Sequence, residues 1–188
     1  GWSDPKRVTI ELASAALPVT CQNFVKLCSS GKARALTTED NNQGGVESTP
    51  VADNADDFNL GYESSVVHKI EKNVGVCLGD ILMEKGSGGR CHPSVVSRPG
   101  NGHTFADEGH IISHGVEGGG IVSMLSSGVD LNDSRFIITT NRLNQLDGRC
   151  VAFGRVKEGM EVIKELTTVF TKRGVPASEI RVEKCGVV

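Results

Sequence analysis

The sequence predicts a mainly β fold, a closed antiparallel β-barrel capped by two α-helices. Three observations carry this expectation. Short alternating or continuously apolar runs recur along the 188-residue chain, separated by glycine-rich turns. Two well-separated stretches instead repeat their apolar residues at helical spacing. The composition, with 23 glycines and only 4% aromatics, implies many turns around a core of Val, Ile and Leu. Several strands plus two distant helices suit a barrel with a helix over each end.

Taken in order, Arg7 to Leu12 alternates polar and apolar residues and reads as a half-buried strand. Ala16-Leu17-Pro18 breaks it. Val19 to Cys28 reads as a helix with Val19, Phe24, Leu27 and Cys28 on one face, Thr20 as its N-cap and Gly31 as its stop. From Ala33 to Asn59 periodicity disappears. Thr37 to Gly45 and Asp53 to Asp57 are acidic, amide-rich and nearly free of large apolar residues, so this is a solvated loop, too long for a simple connection. Strand-like runs follow at Ser65–Ile70, Val74–Leu78, Gly120–Met124, Arg135–Thr139 and Val151–Val156. Met160, Ile163, Leu166 and Phe170 mark a second helix from Met160 to Phe170, and Glu179–Val182 alternates as a final strand. There are no internal repeats and no sign of a second domain, so residues 1–188 read as a single domain carrying a long acidic loop at about 33–59.

Hydrophobic residues make up 38% and charged residues 23%, an ordinary globular balance. A net charge of −3 and a pI near 6.0 give no reason to expect nucleic-acid contact or an anionic-membrane surface. No apolar run approaches the roughly 20 residues of a membrane helix, and no signal-peptide core opens the sequence. The six cysteines, Cys21, Cys28, Cys77, Cys91, Cys150 and Cys185, show no CxxC spacing. Cys91-His92 are adjacent rather than helically spaced and His110 with His114 is a weak pair, so no metal site and no cofactor are expected. Irregularly spaced thiols of this number fit a reducing, intracellular compartment, cytoplasmic or organellar. No phosphate-cradling loop or nucleophile elbow is present.

Four ordered motifs go further. Val67-His68-Lys69-Ile70 followed by Leu78-Gly79-Asp80 resembles the Phe-His-Arg-Val and Gln-Gly-Gly-Asp pair of the cyclophilins. Phe105-Ala106-Asp107-Glu108 resembles their Phe-Ala-Asp-Glu turn. Gly120 to Met124 and Ser134 to Thr140 resemble Gly-Ile-Leu-Ser-Met and Ser-Gln-Phe-Phe-Ile-Thr-Thr. Leu146-Asp147-Gly148, Val151 to Val156 and Gly159-Met160 resemble the approach to the family's second helix, and Cys185-Gly186 resembles its Asp-Cys-Gly end. The resemblance runs from about Val8 to the C-terminus and implies a cyclophilin-like barrel with peptidyl-prolyl cis-trans isomerase activity. Cys28 and Cys185 stand where some family members carry redox-responsive cysteines, although inert buried thiols are the plainer reading.

The sequence departs from the family's pattern in three places. The strand that precedes Val8 in the family is missing, which would expose an edge unless the sequence is a piece of a longer chain or a partner strand covers the gap. The acidic loop is an insertion, and a smaller one around Arg90–Gly100 lengthens the loop after Asp80.

Isomerisation about X-Pro must overcome amide resonance, about 18–20 kcal/mol. Catalysis favours the twisted amide, whose pyramidal nitrogen accepts a hydrogen bond. The resemblance implies an arginine as that donor and an apolar pocket for the proline ring. Lys69 holds the arginine position here. It keeps the charge but loses the planar fork, a loss expected to cost about 2.7–4 kcal/mol in the transition state. His68 beside it suits a hydrogen-bonded structural role. In the pocket, Val74-Gly75 replaces Phe-Met and Ile137 replaces Phe. Cys77 and Arg135 replace substrate-binding glutamines, Leu125-Ser126 replaces Ala-Asn, Gln145 replaces Trp, Cys150 replaces His, and Leu146 is retained. Losing two aromatics and a methionine removes much apolar contact, at about 25 cal/mol per Å². The expectation is therefore a degenerate active site, weak or inactive, in a protein-interaction or structural subunit of a larger assembly. Its partner would be a proline-containing peptide or a partner protein. The alternative is a functional isomerase assisting protein folding, with Lys69 as donor and Val74, Ile137 and Leu146 as pocket. Cyclosporin-type binding is disfavoured by Gln145.

Overall fold

The computed structural model describes residues 4–33, 58–82, 85–95 and 103–188. Most of the acidic stretch, and the end of the smaller insertion beyond Val95, lie outside the described residues.

The alternating run at the start of the chain forms β1, Thr9–Leu12. Helix α1 follows as Pro18–Ser30, with Pro18 in the first turn, where its missing N–H costs nothing. Thr20 is not the N-cap. It lies inside the helix, and the cap comes from a distant turn. Glu108 Oε1 accepts the Val19 N–H at 2.9 Å, and Oε2 accepts the Thr20 N–H at 2.8 Å and the Thr20 hydroxyl at 2.9 Å. A carboxylate here meets both the orphan donors and the positive end of the helix dipole. The buried face is Thr20, Cys21, Asn23, Phe24 and Leu27; Val19 is exposed, contrary to the helical pattern read from the sequence.

Gly31 does end α1, for a reason of space. A Cβ there would lie 1.9 Å from the Asn59 carbonyl oxygen. The chain returns at this crossing: Ala33 N–H donates to the Glu63 carbonyl at 2.6 Å and Gly61 N–H to the Lys32 carbonyl at 3.3 Å. Phe58 and Leu60, at the end of the expected solvated loop, are buried. Phe58 packs edge-on against the His92 ring and beneath the Arg90 guanidinium, so this end of the stretch belongs to the core.

Strands β2 (Lys69–Glu71), β3 (Gly75–Leu78), β4 (Ile121–Met124), β5 (Phe136–Thr139) and β6 (Ala152–Glu158) match the remaining expected runs. With β1 they form a six-stranded antiparallel sheet in the order β1-β6-β4-β5-β3-β2. Strands β3, β4 and β5 are buried along their whole length, as expected of the middle of such a sheet.

The expected closure of the barrel is not seen as a continuous ladder among the described residues. The pairing runs from β1 at one edge to β2 at the other. The expected last strand, Glu179–Val182, is reduced to a bridge between Arg181 and Val66, with the carbonyls of Ile180 and Val182 accepting from Val67 and Ser64.

Helix α2 spans Met160–Leu166 and stops short of Phe170. Its continuation, Thr167-Thr168-Val169, is β-branched, and both threonine hydroxyls bond back to carbonyls three residues earlier, at 2.7 Å each. The chain then makes a hairpin that the sequence reading missed, β7 (Thr171–Lys172) and β8 (Val175–Pro176). Its two turn residues, Arg173 and Gly174, both have positive φ, 54° and 84°, the twist that two-residue hairpins favour.

Removing the distant cap should loosen α1 without touching the sheet. Glu108→Ala is expected to cost about 1 kcal/mol, read as a lower urea midpoint at unchanged slope.

Candidate functional site

Register assembles the site. Lys69 on β2 faces Cys77 on β3, Cys77 faces Ile137 on β5, and Ile137 faces Ser123 on β4. Facing residues in a ladder share one side of the sheet, so three of the sequence-predicted site residues form one row. The row runs from a half-exposed cation to a fully buried hydroxyl. Lys69 is 48% exposed, while Cys77, Ile137 and Ser123 are buried.

At the exposed end, the Lys69 ammonium is ion-paired with Glu71 two residues along the same strand. Hydrogen bonding to the Glu71 carboxylate raises the Lys69 pKa, against a small opposing effect of burial. The group therefore stays a cation, but with one of its donors directed to Glu71. Cys77 occupies a glutamine position of the family pattern, and burial pushes its thiol up to about 12. A neutral buried thiol offers a substrate backbone far less than an amide would.

Val74 sits in the β2–β3 turn, held by Thr140 N–H donating to its carbonyl at 2.9 Å. At Gly75, a Cβ would meet the Ile138 carbonyl oxygen at 2.4 Å and Ile137 Cγ1 at 2.9 Å. Strands β3 and β5 approach too closely here for any side chain at Gly75.

The other predicted residues divide. Leu146 and Cys150 are half-buried around the short 3-10 turn Asn144–Leu146, the Cys150 N–H donating to the Leu146 carbonyl at 3.1 Å. Leu125 is half-buried, its N–H bonded to the Arg135 carbonyl. Gln145 is exposed, and the Ser126 hydroxyl is spent on the Gly128 carbonyl within its own turn. His68 turns from the row and packs against Gly86, where an added Cβ would lie 2.6 Å from its ring. Its Nδ1 is buried with no hydrogen-bond partner among the described residues, and burial lowers its pKa, partly opposed by Asp80.

Arg135 is engaged internally. Its Nε lies 3.1 and 3.0 Å from the two Asp133 oxygens and Nη2 lies 2.5 Å from Oδ2. Nη1 donates to the Gly86 carbonyl at 2.8 Å and Nη2 to the Ser127 hydroxyl at 2.7 Å. Burial works against the cation, but Asp133 more than offsets it and the guanidinium titrates above its ordinary value. One side chain thus ties β5 to two loops. The loop it grips at Gly86 is itself gathered by Asp80, whose buried carboxylate accepts N–H bonds from Leu82, Lys85, Gly86 and Gly88 at 2.6–3.1 Å.

Sequence reasoning missed the strut at the buried end of the row. His114 Nε2 lies 2.9 Å from Ser123 Oγ, and Nδ1 lies 2.8 Å from Asp147 Oδ1. This has the outline of a nucleophile relay, but Ser123 and His114 are fully buried, so no acyl substrate can reach the hydroxyl. Its effect is positional. It fastens the Leu146 turn to β4, and hydrogen bonds from the His114 backbone and ring hold the Asp147 carboxyl below its usual range. Asp147 within Leu-Asp-Gly and Ser123 within Val-Ser-Met were visible in the sequence. Their link through His114 was not.

Cys185 approaches Cys28, its Sγ 3.4 Å from the Cys28 carbonyl oxygen, and all six cysteines are free thiols. Among the described residues no cluster of three His, Cys, Asp or Glu is placed to hold a metal, and no helix is long and apolar enough to cross a membrane.

A mainly antiparallel β fold with two helices, carrying these motifs in this order along the sheet, is the fold of the cyclophilin-type isomerases. The chain belongs to that family: residues 2–187 match the cyclophilin type peptidyl-prolyl cis-trans isomerase/CLD family. It is similar to the human E3 SUMO-protein ligase RanBP2, with 28% identity over 182 residues, 97% of this chain and 4% of that protein. The chain therefore spans a small fraction of that relative's length.

Two outcomes follow from the buried charges. Arg135→Ala leaves Asp133 buried without its cation and should cost about 3–5 kcal/mol in a denaturant titration. For His68, a folded pKa below the ordinary 6.5 means that the unfolded chain takes up a proton first as pH falls. Its contribution to stability is complete above pH 6.5, declines as pH drops toward the lower folded value, and is constant below it. His68→Gln should flatten that decline, measured as urea midpoints across the same window.

Proposed function

We propose that this chain acts as a single cyclophilin-like domain whose isomerase site is degenerate, and that it serves as a protein-interaction or structural subunit of a larger assembly. The observation that carries this reading is the engagement of Arg135. The side chain at a substrate-binding position is bound to Asp133, Gly86 and Ser127, which leaves one of its five N–H groups, on Nη1, for a peptide. The buried Cys77 thiol, the Lys69–Glu71 pair and the closed approach at Gly75 point the same way. The outer edge of β1, unpaired among the described residues, is a place where a partner's strand could add. The small share of RanBP2 that the chain spans fits a module of a larger protein.

The second reading, an active isomerase assisting folding, is favoured by one observation. Lys69 remains charged and half-exposed at the position of the donor. The partner is a proline-containing peptide or a partner protein, the former because cyclophilin-type domains act on prolyl bonds.

Exchange spectroscopy on an Ala-Pro test peptide separates the two, because uncatalysed isomerisation takes tens to hundreds of seconds. The expected result is no acceleration by well-folded wild type, with acceleration appearing, if at all, in Lys69→Arg. Acceleration by wild type that falls at least about tenfold in Lys69→Ala would overturn the interaction-only reading.

A further inference from the structure

We propose that the β7–β8 hairpin, together with the groove behind Phe170, docks an acidic peptide segment that carries an apolar side chain. The surface adjoins the row at Lys69, whose stem lies against Gly174, but Lys69, Cys77 and Ile137 do not line the groove. It does not depend on whether prolyl bonds are turned over, since neither Ile137 nor Leu146 lines it.

Phe170 is 77% exposed and Val175 55% exposed, in a chain where aromatics are scarce. Neither lies on a fraying end. Ala177 N–H donates to the Phe170 carbonyl at 3.0 Å, and Ile70 N–H to the Gly174 carbonyl at 2.7 Å, so the hairpin is bonded to the edge of β2. Behind Phe170 lies a groove of about 510 Å³, lined by Ile70, Val169 and Phe170 together with Lys72 and the threonines Thr167, Thr168 and Thr171. A fixed aromatic beside a concave, partly apolar groove is what an anchoring side chain requires.

Three cations stand on or beside it. Lys72, Lys172 and Arg173 are exposed, and none pairs with an acid among the described residues. The nearest carboxylate along β2, Glu71, is occupied by Lys69, whose stem lies against Gly174 of the hairpin. This cluster stands on a chain of net charge −3, so it is a local reversal of sign rather than part of a basic protein. One cation on the wall of a partly apolar groove and two on the adjoining hairpin complement carboxylates flanking a Leu or Phe. A nucleic acid would gain the same three contacts, but the net charge of −3 opposes a polyanion more strongly than a short peptide with a few carboxylates.

The test is fluorescence anisotropy with three short labelled peptides lacking proline. One is rich in Glu and Asp around a Leu-Phe pair, one has Lys and Arg in place of the acids, and one is acidic with Gly-Ser in place of Leu-Phe. The first is expected to bind saturably and to weaken at least about tenfold between about 0.05 and 0.5 M salt. It should also weaken about tenfold in Phe170→Ala and in the double variant Lys172→Glu/Arg173→Glu, with circular dichroism and urea midpoints near wild type because these side chains are exposed. The other two peptides should bind at least about tenfold more weakly than the first. The proposal is overturned by no saturable binding, by equal binding of the basic peptide, or by variants that bind as wild type does. It is equally overturned if a labelled single-stranded oligonucleotide binds more tightly than the acidic peptide, or if sedimentation shows self-association that Phe170→Ala abolishes, which would assign the patch to a second copy.

Discussion

The seat of Phe24 is the contact on which the rest of the structure depends. Its ring lies 5.2 Å from those of Tyr62, Phe136 and Phe153, so one side chain of α1 touches the segment before β2, the central strand β5 and the strand β6. Among the described residues no second aromatic cluster of this size fixes the helix against the sheet. Offset and edge-on rings add directional preference to simple burial, which helps fix one orientation of α1. The consequences travel by hydrogen bond. Tyr62 donates its hydroxyl to the Ser134 carbonyl at 2.8 Å, and the Ser134 hydroxyl donates to Gly79 and accepts from the Arg90 N–H. Both ends of the loop gathered by Asp80 are thereby referred back to the helix.

The Asp133–Arg135 pair sits at the next step of this chain, where the fold meets the candidate site. Two charges taken largely out of water gain little net stability over a well-packed apolar pair. What they add here is direction. The guanidinium fork reaches a carboxylate, a carbonyl and a hydroxyl on three separate segments, and only one arrangement of those segments satisfies it. A groove floor held in this way is rigid, and four of the five guanidinium donors are already engaged. The substitutions around it are thus connected: a lysine paired along its own strand, a thiol kept neutral and a glycine without room for a side chain.

Much of this could be read in the chain. Period-two alternation located β1, short strand-like runs between glycine-rich turns located β2 through β6, and the ordered motifs identified the family before any geometry was known. The site row was legible in part, because Lys69, Cys77 and Ile137 were named from their motifs, although which strands lie side by side is not written in any one of them. What failed had physical causes. Thr20 looks like a cap because its neighbours suggest a helix start, but the capping carboxylate is Glu108, far along the chain. The spacing of Met160 to Phe170 is helical, but three β-branched residues and two hydroxyls bonding backward end the helix early. Arg135 was read as a substrate contact because its acid partner, two residues away on the same segment, could not be known to share its side of the chain. Phe58 looked like part of a solvated tract because composition averages over neighbours, while burial is decided residue by residue.

The crossing of Gly31 and Gly61 beside the Lys32–Glu63 pairing has a consequence for how this protein can change. Backbone passes over backbone there with no side chains between, and the two ends of the intervening stretch are clamped together at its root. The clamp fixes the separation of the two chain ends at residues 33 and 58 whatever sequence joins them. Lengthening or replacing it would add only the slowly growing entropy of a larger loop, about 0.6 kcal/mol for each doubling, with no strain passed to the helix or the strands. The clamp acts as a port. Sequence can be exchanged through it at little cost to the fold, which lets the appendage diverge while the body that carries it stays the same.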